Sequence, residues 1–396
     1  MLSVTEAQKR VLSSSAPLPV ERVRVAEAMG RVLAEDVVAV RTLPPWKNSA
    51  MDGYAVRSAD GVRRLQVVET IHAGATPSRV IGPGECARIM TGAPMPSGAD
   101  AVVMQERTRR EGETVELFEA ATPGQNVRQE GEDALRGEVL LSQRTPIGIP
   151  EAGLLWGQGF ADVGVHRRPK VAIASTGDEL CPVESPKEGR IADTNSPMLA
   201  AATRRAGALP TLLGIARDEL DEVERVFSGG LTHDVLLTCA GVSVGEKDFA
   251  RDALSRLGVE LSFWKVAMRP GKPLLVGLKG RTLVFGLPGN PTSALVTFEL
   301  FVRPCLRRLL GFADAGPPRV RGRTEVAFQK PAGVTHFIRV IARWHEGETW
   351  VRPLPSQTSG ALRSAAAATH LLELGPDTTE LLAGEPATLL PLSWTP

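Results

Sequence analysis

The segment at 282–299, TLVFGLPGNPTSALVTFE, has the arrangement with which α/β proteins bind phosphate or another small oxyanion. An apolar strand runs into a glycine-containing loop at 286–289, and an amphipathic helix follows. Asn290 is a good helix N-cap, and Pro291 suits the first helical position, where a missing N–H is not needed. Backbone N–H groups and the helix N-terminus would add partial positive charge. On this segment alone, an ordinary turn explains the glycines and prolines about as well.

Loops rich in glycine, hydroxyl, carboxylate or basic side chains also follow the other strands that the sequence predicts after residue 170. Ligands of open α/β sheets bind beyond the carboxyl ends of the strands, so these loops are candidate ligand-binding loops. Basic side chains bind anions, and carboxylates hold a hard cation such as Mg²⁺. The loops read STGDEL at 175–180, DTNS at 193–196, CAGVSVGEKD at 239–248 and WKVAMRPGKP at 264–273.

Carboxylates of these loops are expected at one rim of the sheet, and at least two of them are expected to bind a ligand or a metal ion. They are Asp178, Glu179, Glu246 and Asp248. For Asp193 and Asp218, a helix cap or a solvated loop position is a sufficient explanation. Lys272 lies between a glycine and a proline, in a stiff loop that is an unusual place for a merely solvated lysine. Neither GxGxxG nor the Walker A pattern occurs, which weighs against NAD and against a P-loop NTPase.

The elements that would position these loops alternate between apolar strands and helices from Lys170 to about residue 310, which predicts a doubly wound, mostly parallel sheet. The expected helices cover 196–206, 219–229, 247–257 and 291–310. Short β-rich runs between Gly/Pro turns predict a small all-β unit before this sheet, and β-rich sequence returns after the linker GFADAGPPRVRG. We therefore expect a first domain of 1–43 and 134–165, an inserted β domain of 44–133, an α/β domain of 166–312 and a C-terminal β domain of 318–396.

Composition excludes several classes of protein. The chain has 396 residues and a net charge of +1, without a basic block, so nucleic acid is not an expected partner. The sequence has no stretch of 18 apolar residues, so no membrane span is expected. The four cysteines are scattered and form no CxxC pair, which argues against a zinc ribbon or a disulfide framework and favours a reducing, cytoplasmic setting. The histidines have no metal-site spacing.

Taken together, these strings resemble the molybdopterin molybdenumtransferase family, of the MoeA and gephyrin E-domain type. The matching strings span roughly 44–365 in the family's order, which makes the set specific although each string alone is not. They are NSAMDGYAVR, MTGAPMPSGAD, GQNVRQEGED, STGDEL, DTNSPML, GVSVGEKDF, RPGKPLLVG, GLPGNPTSALV and PSQTSGALRS.

The resemblance implies an elongated four-domain subunit that forms homodimers, with a MogA-like molybdopterin-binding domain and a C-terminal β-barrel-like domain. It implies a cytoplasmic transferase that performs the last step of molybdenum cofactor synthesis. Adenylylated molybdopterin would be hydrolysed with Mg²⁺ and molybdate, which gives AMP and the molybdenum dithiolene. It also allows for transient contact with the adenylyltransferase and with molybdoenzyme maturation proteins.

The resemblance assigns roles to individual positions. Substrate binding is implied for Thr176, Gly177, Asp178, Gly241, Ser243, Pro288, Gly289 and Asn290. Catalytic roles are implied for Asp52, Thr91, Asp133, Glu179 and Asp248. Of these, Glu179 and Asp248 would hold Mg²⁺, and the three from the inserted β domain would close over the site of the partner subunit. Molybdate binding is implied for Arg269, Lys272, Ser293, Arg339 and Ser364.

The chain departs from the family pattern at three places, and two other functions remain open. Lys47 stands where the family usually has aspartate, Ala240 replaces a glycine, and the run RSAA at 363–366 replaces the usual Ser-Met. A molybdopterin adenylyltransferase shares the α/β domain and its loops but would not need residues 1–165 or 320–396. A gephyrin-like interaction scaffold is disfavoured because no long linker or second fused domain is evident.

Overall fold

The computed structural model describes residues 1–239 and 249–394, which form two compact units. The first unit contains 1–34, 144–152 and the chain from 162 onward, and the second unit contains 35–143 and 153–161. The β-rich run at 44–133 lies wholly within the second unit. The four domain boundaries expected from the sequence remain predictions.

Short strands dominate the chain up to residue 143, helices and strands alternate in its central part, and strands dominate again at its C-terminal end. Up to residue 143 the helices and strands are α1 (Val4–Ser13), β1 (Val20–Arg24), β2 (Val37–Val38), β3 (Asn48–Ser49), β4 (Gly53–Val56), β5 (Arg64–Ile71), β6 (Glu85–Ile89), β7 (Ala101–Met104), β8 (Thr108–Glu111), β9 (Thr114–Leu117), β10 (Val127–Arg128) and β11 (Val139–Leu141). The central part contains α2 (Ile149–Gln158), β12 (Asp162–His166), β13 (Lys170–Thr176), β14 (Leu180–Cys181), β15 (Ile191–Ala192), α3 (Asn195–Arg205), β16 (Leu209–Ala216), α4 (Leu220–Gly230), β17 (Val235–Cys239), α5 (Phe249–Arg256), β18 (Glu260–Trp264), β19 (Met268–Arg269), β20 (Leu275–Lys279), β21 (Thr282–Leu287), α6 (Pro291–Thr297) and α7 (Arg303–Leu309). The C-terminal part contains β22 (Val320–Thr324), β23 (Phe328–Gln329), β24 (Thr335–His345), β25 (Glu348–Pro353), α8 (Leu362–Ala367), β26 (His370–Leu374), β27 (Glu380–Leu381) and β28 (Pro386–Pro391).

The central sheet of the first unit has the strand order β16-β13-β17-β21-β20-β18. Strands β16, β13, β17 and β21 are parallel, whereas β20 and β18 are antiparallel additions at one edge. Alternate side chains of β13 pack on opposite faces: Val171 and Ile173 join one apolar cluster, and Ala172 and Ala174 join another. A parallel sheet covered on both faces is the doubly wound architecture that the sequence predicted. The strand that follows next in this sheet, β16, lies on one side of β13, and the later strand β17 lies on the other. Ligands of such sheets bind at this switch point, so the loops after β13 and β17 mark the expected crevice.

The helix expected at 291–310 is interrupted by a π-helical turn at Phe298–Val302. Pro304 is the second residue of the following helix and has no N–H to donate to the carbonyl four residues earlier. That carbonyl belongs to Leu300, and it accepts a hydrogen bond from the Gln8 side chain at 3.0 Å. The N-terminal helix therefore supplies the donor that the proline removes. No helix in the described part of the chain is long and apolar enough to span a membrane.

The C-terminal strands close into a barrel, as the resemblance implied. Strands β24, β25, β22, β28 and β26 pair in that order, and β26 pairs back onto β24. The short strand β19 extends this barrel from the α/β side by pairing with β24, so that Arg269 lies opposite His336. The barrel and the central sheet therefore share a direct connection through the loop that carries the basic motif RPGKP.

The second unit is built around a six-stranded sheet with the order β7-β4-β6-β5-β9-β8. Gly53 begins β4 at a point where a side chain has no room, since an added Cβ would lie 2.1 Å from the Val103 carbonyl oxygen. The Asp-Gly pair at 52–53 thus serves a close approach of two strands rather than a hairpin turn. The all-β character expected for 44–133 is confirmed.

A partly buried ion pair joins the segments that precede β13 and β17, and it predicts acid sensitivity. Burial opposes ionisation of Asp234, but hydrogen bonds from Arg167 and from the Lys170 N–H lower the pKa of this carboxyl below its usual value. Stability from this group is present above the unfolded-state pKa and is lost as pH falls through the lower folded-state pKa. We expect Asp234→Asn to lose about 1–3 kcal/mol at neutral pH, with a shallower loss below about pH 4 than the unmodified protein.

Urea unfolding between neutral and acidic pH checks this expectation. Asp221→Asn serves as the control, because the Asp221 side chain is 97% exposed and only loosely paired with Arg256. Parallel pH profiles for the Asp234 variant and the unmodified protein would contradict the assignment.

Candidate active site

A cavity of about 710 Å³ lies at the carboxyl ends of β13, β17 and β21. Its wall includes Glu179, Pro288, Gly289 and Asn290, which the sequence had placed in the site. The barrel contributes Gly360 and Leu362. The structure therefore brings together loops from the α/β sheet and from the C-terminal barrel.

Glu179 is held in this cavity by the backbone around it. Gly177, at a φ of +143°, leaves room for the carboxylate: an added Cβ would lie 2.6 Å from Glu179 Oε2. The Glu179 carbonyl accepts from the Ile191 N–H at 2.7 Å, which ties this loop to β15. Thr176, the last residue of β13, is buried just before it. A carboxylate placed this way can hold a hard cation or a proton.

Asp178 points away from this arrangement toward a neighbouring loop. Its carboxylate accepts from the Asp218 N–H, and the Asp218 carboxylate accepts from the Asp178 N–H, both at 3.4 Å. Two exposed loops at the rim are joined by this reciprocal pair. The structure gives Asp178 a loop-bracing contact, and its expected role in substrate binding remains a prediction.

The cavity wall includes part of a chain of buried hydroxyl and carboxyl groups. Ser175 and Ser196 share a hydrogen bond at 2.8 Å, and Ser196 donates to Asp193 at 2.6 Å. Asp193 also accepts from the Ser196 N–H and so stabilises the start of α3, as the capping interpretation expected. Cys239 lines the same wall, and burial raises the pKa of its thiol, which keeps it protonated.

The loop at 288–291 is fixed from the side by Asn195. The Asn195 side-chain N–H donates to the Gly289 carbonyl at 2.7 Å, while its Oδ1 is buried without a hydrogen-bond partner in the described chain. Asn290 occupies the N-cap position and Pro291 the first turn, as expected, although the Asn290 side chain makes no capping hydrogen bond. Its amide is therefore free to face the cavity.

The basic loop at 265–273, hereafter the anion loop, carries two exposed cations. Arg269 and Lys272 both have exposed side chains, and Pro273 lines the cavity. Gly271 adopts a φ of +101° and packs so closely on α6 that an added Cβ would lie 2.6 Å from Thr297 Cγ2. Burial, and then the charges of Lys330 and Arg269, lower the pKa of His336 opposite this loop. The local potential is therefore positive.

Arg339 is a fully buried cation on β24, with 0% of its surface exposed. Its Nε donates to Ser364 Oγ at 3.1 Å, and one Nη donates to the Ser356 and Thr358 carbonyls at 3.0 Å each. The other Nη, also buried, has no partner among residues 1–239 and 249–394. Burial lowers the pKa of this guanidinium, so holding it charged has a cost that a bound anion would offset.

One short segment joins Arg339 to the cavity. The carbonyl of Ser359 accepts from the Thr292 N–H of α6 at 3.0 Å, and the following residues, Gly360 and Leu362, line the cavity. Ser293 lies next to Thr292 on α6 and is 4% exposed. Arg339 and Ser364 are thus in contact, and the molybdate binding expected of both remains a prediction.

In the second unit, Asp52 and Thr91 meet. Asp52 Oδ1 accepts from the Thr91 N–H at 2.7 Å and from its hydroxyl at 2.8 Å. These two bonds, in that order, lower the pKa of the exposed Asp52 carboxyl. Asp133 is not joined to them by any hydrogen bond within the described ranges; its N–H donates to the Leu43 carbonyl. Lys47 is exposed.

Some expected residues lie outside the described chain, and some site residues were not expected. Gly241, Ser243 and Asp248 fall at 240–248, as do Ala240 and Glu246. Asn195, Cys239 and Ser175 line the cavity without having been assigned a role. Their position at strand ends was the signal that could have found them. Within residues 1–239 and 249–394, no group of three or more His, Cys, Asp or Glu side chains could hold a metal ion.

Three family models cover most of the chain. Residues 2–159 match the MoeA N-terminal region (domain I and II), residues 172–308 match a probable molybdopterin binding domain, and residues 321–392 match the MoeA C-terminal region (domain IV). The order of the three matched regions agrees with the order along the chain of the β-rich part, the central α/β sheet and the C-terminal barrel.

Curated relatives and solved structures agree with these models. The chain is 36% identical over 388 residues to the molybdopterin molybdenumtransferase of Bacillus subtilis, covering 94% of this chain and 90% of the relative. It is 41% identical over 314 residues to the Nostoc protein of the same name, covering 76% and 72%. The crystal structure of the molybdopterin biosynthesis MoeA protein from Pyrococcus horikoshii OT3 superposes with a TM-score of 0.86 at 29% identity, covering 99% of this chain and 100% of the other. The chain therefore belongs to the MoeA family.

Proposed function

We propose that this protein is a molybdopterin molybdenumtransferase that inserts molybdenum from molybdate into adenylylated molybdopterin and releases AMP. The observation that carries this proposal is Arg339, a buried guanidinium with an unpartnered Nη beside Ser364. A planar guanidinium suits the oxygens of a tetrahedral dianion such as molybdate. Membership in the MoeA family supports the same substrate class.

The anion loop would supply the rest of the molybdate site. Arg269 and Lys272 add positive charge, and Ser293 adds a hydroxyl near the start of α6. The cavity of about 710 Å³ is large enough to take a pterin with its phosphate beside these groups. Its wall offers amide, hydroxyl and carboxyl groups from Asn195, Ser175 and Glu179.

The donor set fits Mg²⁺ as the metal of this reaction. Mg²⁺ is usually held by one or two carboxylates together with substrate phosphates, and Glu179 places one carboxylate in the cavity wall. We propose Asp248 as the second, from the loop outside the described residues. When bound, Mg²⁺ would neutralise charge on the pyrophosphate of the substrate. The Glu179 carboxylate would hold the ion beside the pyrophosphate.

A reconstituted reaction tests the proposal. Purified protein is mixed with adenylylated molybdopterin, molybdate and Mg²⁺, and both AMP and the molybdenum cofactor are measured. We expect AMP release and cofactor formation that both depend on molybdate. Consumption of ATP with free molybdopterin would support the adenylyltransferase alternative, and turnover of neither substrate would favour a scaffold.

We propose that the protein works as a homodimer in which the inserted β domain of one subunit completes the site of its partner. An apolar surface of the second unit supports dimerisation: Val38, Val40, Val139 and Trp156 are all exposed. Val38 and Val139 are cross-strand neighbours on β2 and β11, so part of this surface is one continuous patch. The exposed Asp52–Thr91 pair supports a function for the β domain outside its own core.

Mixing two impaired variants tests this shared site. Asp52→Ala and Glu179→Gln proteins are each expected to keep no more than about a hundredth of the activity. After unfolding and refolding together, half of the dimers would be mixed, and one of their two sites would carry neither substitution, which restores about a quarter of the activity. Refolding each variant alone is the control. No recovered activity in a mixture that light scattering shows to be dimeric would contradict a shared site, and a monomer would contradict the homodimer itself.

A further inference from the structure

Both backbone polar groups of Ala267, in the anion loop, form hydrogen bonds with residues outside the loop. Its N–H donates to the Leu2 carbonyl at 2.8 Å, and its own carbonyl accepts from the Thr335 N–H at 3.0 Å. Leu2 and Val266 also form a parallel β-bridge. The anion loop is thus held between the N-terminal segment and the first residue of β24.

The loop has a backbone that needs outside support. Lys265 has a φ of +70°, a left-handed conformation that costs energy for a residue with a side chain. Bonds of the loop itself provide part of this support: the Lys272 carbonyl accepts from Val266 N–H and Leu274 N–H. The Lys265 N–H donates to the Leu274 carbonyl, and the Met268 N–H donates to the Val266 carbonyl. Such a conformation persists when neighbouring structure fixes it, and Leu2 provides part of that structure.

The N-terminal segment is itself firmly placed. Val4 and Ala7 of α1 are buried in the same apolar cluster as Val266. Gln8 donates to the Leu300 carbonyl, which Pro304 leaves without its helical donor. Leu2 therefore presents its carbonyl just before a helix that is anchored to the π-helical turn, to α7 and to the core.

We propose that the N-terminal segment 1–3 is a positioning element of the molybdate site. Leu2 fixes the backbone of Ala267 and thereby keeps Arg269 in register with β24, the strand that carries Arg339. The segment touches no substrate; it acts through the anion loop. This inference rests on the proposed function, because it assumes that the loop binds a tetrahedral oxyanion.

The test compares a deletion with two substitutions in protein that carries its purification tag at the C-terminus. Deleting Leu2 and Ser3 removes the carbonyl that Ala267 donates to, and it also removes the Ser3 side-chain cap of α1. Ser3→Ala removes only the cap, and Leu2→Ala keeps the carbonyl but shortens the side chain. All variants are measured by calorimetric titration with molybdate, by the molybdate dependence of insertion and by thermal unfolding.

We expect the deletion to raise the molybdate concentration for half-saturation roughly 2- to 10-fold, the worth of one backbone hydrogen bond. The maximal rate at saturating molybdate should change less than twofold. Ser3→Ala should lower the unfolding temperature as the deletion does but leave molybdate binding unchanged, and Leu2→Ala should show a smaller rise than the deletion.

Three results would overturn the inference, and they are distinguishable from one another. If the unmodified protein binds molybdate and the deletion variant binds it equally well, the N-terminal segment does not position the site. If Ser3→Ala weakens binding as much as the deletion, the effect comes from helix stability alone. Failure of the unmodified protein to bind molybdate would remove the oxyanion site, and with it both this inference and the proposed function.

Discussion

Replacing Arg339 with methionine is expected to abolish molybdate-dependent insertion, with a loss on the order of 100-fold or more. Methionine fills much of the buried volume but offers no charge and no donor to an anion. The guanidinium makes its contacts from a position with 0% exposure, where water cannot substitute for it. Removing it should therefore eliminate calorimetrically measurable molybdate binding as well as turnover.

A lysine at the same position separates charge from geometry. Arg339→Lys keeps the positive charge but loses the planar fork, so we expect weak activity that rises with molybdate concentration. Arg343→Met, four residues further along β24 and exposed, is the matched control and should behave like the unmodified protein. The insertion rate of all three variants is measured as a function of molybdate concentration and compared with that of the unmodified protein. Unchanged molybdate dependence in Arg339→Met would exclude Arg339 from the anion site.

Arg339 also shows how a sequence can point to a site without locating it. Along β24, Thr335, Phe337 and Arg339 alternate as buried residues on the side of the strand where Phe337 joins the apolar cluster of the central sheet, so an arginine stands where an apolar residue is expected. Such a local inconsistency is typical of functional positions. Its partners Ser356, Thr358 and Ser364 come from beyond the next strand and could not be derived from spacing. Only the family resemblance paired Arg339 with Ser364 in advance.

The alternation of strands and helices after Lys170 was predictable because each element carries its own periodic signal. Helices expected at 196–206 and 219–229 appear at Asn195–Arg205 and Leu220–Gly230. The π-helical turn within the helix expected at 291–310 was not predictable from local sequence. In this turn the Leu300 carbonyl accepts a hydrogen bond from Gln8, nearly three hundred residues away in the sequence. The antiparallel edge formed by β20 and β18 likewise depends on tertiary pairing.

The cavity wall illustrates the same limit. Strand ends were expected to gather at one edge, and Glu179 and Pro288 do meet there. Asn195 braces the Gly289 carbonyl through a side chain whose partner is 94 residues away, which no local pattern indicates. Asp178 was expected at the same rim of the sheet as Glu179, because both follow the end of β13. Neighbouring residues in an irregular loop point in different directions, and Asp178 pairs with Asp218 instead.

Glu179→Gln is expected to reduce the maximal rate of insertion on the order of 100-fold while leaving molybdate binding intact. The substitution keeps the size of the side chain and the backbone bond from Ile191 to the Glu179 carbonyl, so the loop should fold as before. What it removes is the one carboxylate charge that Glu179 adds to the cavity wall, and with it a hard oxygen ligand for Mg²⁺. The residual rate should therefore need a higher Mg²⁺ concentration for half-maximal activity.

Glu188→Gln is the matched control, because Glu188 lies exposed between β14 and β15 and its loss should change neither the rate nor the Mg²⁺ requirement. The rate is measured as AMP release at saturating molybdate across a Mg²⁺ titration, and calorimetry with molybdate reports the anion site separately. A variant with normal Mg²⁺ dependence and a normal rate would show that the Glu179 carboxylate merely packs beside Gly177. A variant that also fails to bind molybdate would show that the cavity and the anion loop form one coupled site, in which charge at Glu179 sets the geometry of both.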